Sequence, residues 1–99
     1  MIVLEHRHWL SWAGRPEAPE DAEFAHLIDQ ALDLYQAHDP TARVLLLEHF
    51  GGTPHSPEDP RLRVRRLMRI TGRGRSQTES RVRLVRAFVE GYVAGRQEA

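Results

Sequence analysis

The sequence predicts an all-α protein of about four helices with a short N-terminal arm, on three observations. Apolar residues recur at three- and four-residue steps through several segments. Three helix-start signals stand ahead of such segments: Asp39-Pro40, Asp59-Pro60, and Ser76 followed three residues later by Glu79. Gly and Pro mark the joins, at Gly14-Arg15-Pro16, Asp39-Pro40, Gly51 to Pro60 and the Gly72 and Gly74 turn. With 99 residues the chain is one domain.

Residues 1–18 form the arm. Ile2, Leu4, His6 and His8 alternate as in a strand, while Trp9 and Trp12 sit at helical spacing. A short strand or extended arm that turns helical near the tryptophans is expected, closed by Gly14-Arg15-Pro16. Residues 19–52 are an acidic helical support. Its first helix spans 19–38, with Phe24, Leu27, Ile28, Ala31 and Tyr35 on one stripe. Glu20, Asp21 and Glu23 crowd the first turn, where the helix dipole favours negative charge. Asp39 caps the next helix with Pro40 at its first position, and Gly51-Gly52 stops it. Its apolar block Val44–Leu47 also fits a short buried strand, but the Asp-Pro start and Gly stop favour a helix.

A Pro-rich loop covers 53–60, and an Arg-rich helix pair covers 61–96. The first helix of the pair has a narrow seam of Val64, Leu67 and Met68, with Arg61, Arg65 and Arg69 on another face. A turn over Thr71–Arg75 leads to the second helix, which Ser76 and Glu79 start as a capping box. Its stripe is Val82, Val85, Phe88/Val89 and Tyr92/Val93, and Glu79 stands four residues before Arg83 as an ion-pair partner.

The composition, 40% apolar and 28% charged, suits a compact fold and not a wholly disordered chain. The absence of cysteine excludes disulfides, thiolate metal sites and cysteine nucleophiles. No apolar run approaches the roughly 18 residues of a membrane span, so no membrane partner and a cytoplasmic setting are expected. Charge is the informative quantity. Residues 1–60 carry 3 Arg against 11 acids, a net −8, whereas residues 61–86 carry 10 Arg against one Glu, a net +9. All 14 basic residues are Arg. A guanidinium is a planar fork suited to phosphates and base edges, and the lack of Lys excludes Schiff-base chemistry.

Two Arg-rich amphipathic helices joined by a Gly-containing turn have the outline of a helix-turn-helix, whose second helix enters the DNA major groove. In that arrangement Arg81 and Arg83 reach base edges. Ser76, Gln77 and Thr78 stand at the helix N-terminus, where free N–H groups donate to a phosphate. Arg65, Arg69, Arg73 and Arg75 contact phosphates, setting register and affinity. The alternative is a solvated face that pairs with the acidic first half, although exposed pairs contribute only about 0–1 kcal/mol each.

The stretch from Ala42 to Gly95 resembles the sigma-region-4-type helix-turn-helix of small phage late-gene antiterminators and related phage transcription regulators. Leu45–Gly51 resembles the leucine-aromatic-Gly helix that precedes the DNA-binding pair, Arg63–Met68 its first helix, and Ser76 with Arg81, Leu84, Ala87, Phe88 and Glu90-Gly91 its recognition helix. Trp9-Leu10-Ser11-Trp12 is loosely similar to that group's tryptophan-bearing N-terminal segment. The resemblance implies a DNA-bound factor that contacts RNA polymerase, and no enzyme.

Other patterns are weaker. His6-x-His8, His49 and His55 lack the three or four spaced ligands of a zinc site, so no metal or cofactor is expected. Ser56, Ser76 and Ser80 have no nucleophile-elbow context. Trp9, Trp12 and Tyr35 could stack on single-stranded bases, but they lie in the acidic half, and core packing explains them better. Trp9 and Trp12 could instead anchor a protein partner. The runner-up function is a small phage-encoded inhibitor or adaptor that docks its arginine face on a host protein complex. A chain this short buries only about two-thirds of its surface, which leaves room for a homodimer.

Overall fold

The computed structural model describes residues 4–14, 21–50 and 60–98. Among them are five helices and no strand: α1 (His6–Trp12), α2 (Asp21–Tyr35), α3 (Ala42–His49), α4 (Pro60–Thr71) and α5 (Arg75–Glu98). The protein is all-α, as its periodicity predicts. Residues 51–59, which hold the predicted Gly51-Gly52 stop and all of the Pro-rich loop but Pro60, lie outside the described residues.

The arm departs from expectation. Residues 6–12 are a helix, and alternation at Leu4, His6 and His8 does not make a strand. His8 supplies the missing signal: its Nδ1 accepts the Glu5 N–H at 2.9 Å, three residues back, in the manner of a capping-box Glu or Gln. The ring also stacks on Phe24 of α2 at 4.1 Å, fixing α1 to its neighbour.

Within α2, Ile28, Ala31 and Leu32 are buried, with Phe24, Leu27 and Tyr35 packed against the core. The helix ends at Tyr35, three residues before the predicted end. His38 N–H bonds back to the Tyr35 carbonyl, tightening the last turn, and Pro40 disfavours helical geometry at Asp39. Asp39 initiates α3 from a distance. Its Oδ1 accepts the Thr41 N–H at 3.1 Å and the Thr41 hydroxyl at 2.7 Å, while its carbonyl accepts the Ala42 N–H. The helix starts at Ala42, two residues after the predicted first position.

The core draws on every helix: Trp9 from α1, Ile28 and Leu32 from α2, Leu45 and Leu46 from α3, Leu67 from α4, and four valines of α5. α5 runs antiparallel to α2, because Tyr92 reaches Gln30, Phe88 meets Tyr35, and Arg81 reaches Asp39. Over residues 61–71 of α4 Leu67 alone is a fully buried apolar residue, with Ile70 partly buried against the core, and Arg61, Arg65 and Arg69 face outward.

Candidate nucleic-acid interface

The α4–α5 join is a three-residue turn, Gly72–Gly74, tighter than the predicted Thr71–Arg75. Gly72 takes φ +64°, a left-handed conformation that glycine adopts without Cβ strain. Thr71 Oγ1 accepts the Arg73 N–H at 3.2 Å and lies 3.0 Å from Thr78 Oγ1, and the Thr78 hydroxyl donates to the Gly74 carbonyl at 2.9 Å. These bonds bind the last turn of α4 to the first turn of α5. Thr78 is therefore a buried fastener, 1% exposed, and not the ligand-facing residue the sequence reading makes it.

α5 begins one residue earlier than expected, at Arg75, so Ser76 sits inside the helix and is not its cap. Glu79 pairs backward with Arg75 at 3.1 Å instead of forward with Arg83, whose guanidinium donates to Ser80 Oγ at 3.2 Å.

The arginine block divides into two populations. Some arginines serve the fold. Arg81, predicted to read base edges, spans to Asp39 at 2.6 Å and donates to Thr41 Oγ1 at 2.7 Å, clamping α5 to the start of α3. Burial raises the Asp39 pKa, but the hydrogen bonds from Arg81 and Thr41, with the Arg81 charge, outweigh it and hold the carboxyl below its ordinary value. Arg81→Met should lower stability by about 1.5–3 kcal/mol by urea denaturation, the usual size of a charged hydrogen-bond contribution. Arg66 pairs with the buried Glu48 at 3.0 Å, and Arg63 donates to the His49 carbonyl at 3.0 Å. Arg86 stands over the Trp9 and Phe50 rings, at 5.7 and 5.4 Å.

The second population faces solvent. Arg65 and Arg69 on α4 and Arg73 in the turn are exposed, with no ion pair to any described residue. Arg65 and Arg75 share a recess of about 300 Å³ with Arg61, floored by Val64 and Met68. Ser76 and Gln77 are exposed beside it in sequence. Within the acidic half Arg43 pairs with Asp29 and with Asp33, while Glu48 and Asp39 are met by Arg66 and Arg81 of the cationic block. The arrangement suits binding of a polyanion, since like charges at four-residue steps are relieved when phosphates lie between them.

The tryptophans do not present an anchor. Trp9 is 0% exposed, stacked on Phe50 at 5.1 Å, because the helical form of α1 turns it into the core. Trp12 is half-buried and donates its Nε1 proton to Asp29 Oδ1 at 2.8 Å. His49 lies near Arg86 and Arg63; burial first, then repulsion from those two guanidiniums, pulls its pKa below the ordinary value. A folded pKa below the unfolded 6.5 means the unfolded chain binds more protons, so stability falls as pH drops through about 6.5. That fall in the thermal midpoint should shrink in His49→Gln.

Among the described residues no three His, Cys, Asp or Glu side chains converge as a metal site requires, and no helix is long and apolar enough to cross a membrane. Sequence reasoning missed the Asp39–Arg81 clamp and the Glu48–Arg66 pair, which join residues 42 and 18 positions apart without a local signature. No protein-family model, curated protein or solved structure matches the chain.

Proposed function

We propose that this protein is a cytoplasmic transcription regulator that binds duplex DNA through the outward face of α4, the Gly72–Gly74 turn and the first turn of α5. The observation that carries this reading is the set of exposed arginines without an acidic partner among the described residues, Arg65, Arg69 and Arg73. They stand on the first helix of the pair and in its turn, where a helix-turn-helix meets phosphates. Arg75, Ser76 and Gln77 follow at the exposed start of α5. The antiterminator-like segments named above support a place beside RNA polymerase, with the acidic α2 surface as the contact. Trp9 has no part in that contact.

The adaptor reading keeps one observation in its favour. Leu62 is 46% exposed and shares the face of Arg65 and Arg69, a mixture that suits an acidic protein surface as well as a duplex. A salt titration separates the two. Affinity for duplex DNA should fall steeply between about 50 and 200 mM salt. Retention of one stoichiometric host protein after nuclease treatment, without any DNA retardation, would instead establish the adaptor.

A further inference from the structure

The longest helix turns an uncharged face to solvent. Opposite the buried stripe of α5 lie Ser80, Leu84, Ala87 and Gly91, with Phe88 at the edge, and no charged residue falls in that sector between Ser76 and Gly95. A solvent-facing helix surface is ordinarily its charged one, and 28% of this chain is charged. Leu84 is 62% exposed and Phe88 38%. The antiparallel register of α2 and α5, fixed by Tyr92 on Gln30 and Phe88 on Tyr35, brings Leu34, 57% exposed, opposite Phe88. Gly91 adds a second anomaly. A glycine inside a helix costs about 1 kcal/mol relative to alanine, yet a Cβ there would meet nothing within 4 Å. No contact within the chain requires it.

We propose that this face binds a second copy of the same chain, with two α5 helices packed antiparallel about a two-fold axis near Ala87. The charges beside the face single out this occupant. Arg83 lies on one flank of the apolar sector, and Glu90, 38% exposed in a loose 3.8 Å pair with Arg86, lies seven residues on along the same flank. In an antiparallel pair like flanks meet, so Arg83 of each copy comes opposite Glu90 of the other, giving two symmetric ion pairs. The same register seats Leu84 of one copy over Gly91 of its partner and brings the two Phe88 rings together near the axis. A parallel pair would bring unlike flanks together and leave Arg83 without Glu90 of the other copy opposite it.

The proposal reassigns Arg83 from base reading to the contact between copies. α4 lies on the Arg83 flank of α5, across the cleft that Val64, Leu67, Glu79 and Arg83 line. Both α4 helices therefore fall on one side of the pair. The rise of an α-helix sets the two Arg75 positions about 35 Å apart along the axis, close to the one-turn spacing of successive major grooves. This spacing rests on the DNA-binding reading; the association itself does not.

Sedimentation equilibrium without DNA tests the contact directly. The wild-type chain should dimerise reversibly. Leu84→Glu should weaken association at least about tenfold with helicity by circular dichroism unchanged, since the side chain is exposed. Arg83→Glu alone should also weaken it about tenfold, and Arg83→Glu with Glu90→Arg should restore it. The chain has no cysteine, so Ala87→Cys should oxidise to a covalent dimer while Gln77→Cys, far from the axis, should not. A wild-type monomer at all concentrations, a dimer indifferent to Leu84→Glu or to Arg83→Glu, failure of the double reversal to restore, or cross-linking through Gln77→Cys would each overturn the proposal. DNA titration of the monomeric Leu84→Glu variant reads the DNA-binding reading separately.

Discussion

With Arg65, Arg69 and Arg73 replaced together by alanine, duplex DNA affinity should fall by about two to three orders of magnitude at roughly 0.1 M salt. Each phosphate contact contributes about 0.9 to the slope of log affinity against log salt, so losing three should flatten that slope by about 2.7. The fold should survive, because all three side chains are exposed and none pairs with a described acid. Removing them also relieves repulsion along α4, so the thermal midpoint should hold or rise. Arg96→Ala, at the far end of α5, is the matched control and should leave binding near wild type. An unchanged salt slope in the triple variant would place the DNA contact elsewhere and end the proposal in its present form. The contrast with Arg81 is instructive: that arginine holds Asp39, so its replacement should be read in stability and not in the salt slope.

Trp9→Ala should be the most damaging single substitution, at about 3–5 kcal/mol. A domain of this kind has only about 5–15 kcal/mol in total, so the variant should be marginal at 37 °C. The indole is fully buried, stacks on Phe50, meets Trp12 edge-on at 6.1 Å and carries Arg86 over its face. Its Nε1 proton has no acceptor among the described residues, so Trp9→Phe forfeits none of the hydrogen bonds they make and should cost only about 1–2 kcal/mol. Urea denaturation followed by circular dichroism distinguishes the two, with the m-value unchanged if the native state stays compact. A Trp9→Ala chain as stable as wild type would mean that α1 is not docked. That result would return the tryptophan to the exposed role its spacing also permits.

Helical periodicity was legible wherever an apolar stripe ran over three turns or more. Ile28 and Ala31 in α2 and Val82, Val85 and Val89 in α5 lie buried on the predicted faces, and Leu32, outside the predicted stripe, is buried with them. Such stripes are local, because residues three and four apart share a face whatever they pack against. α1 was not legible, since seven residues hold too few turns for a period, and its cap uses His8 where a Glu or Gln is the usual signal. The roles of individual arginines were not legible either. Arg65 and Arg81 look alike in the sequence, one step from an apolar seam in a cationic run. One points outward because α4 meets the core along a single narrow edge, and the other meets Asp39 because α2 and α5 run antiparallel.

Composition and spacing established an all-α chain with segregated charge and a cationic C-terminal helix pair. Those properties depend on neighbours along the chain, which the order of residues specifies directly. Which guanidiniums remain available to a partner, where Trp9 lies, and which face of α5 lacks a cover were settled only by packing. Each depends on residues tens of positions apart arriving together, and Coulomb and contact energies act at distances that sequence separation does not encode.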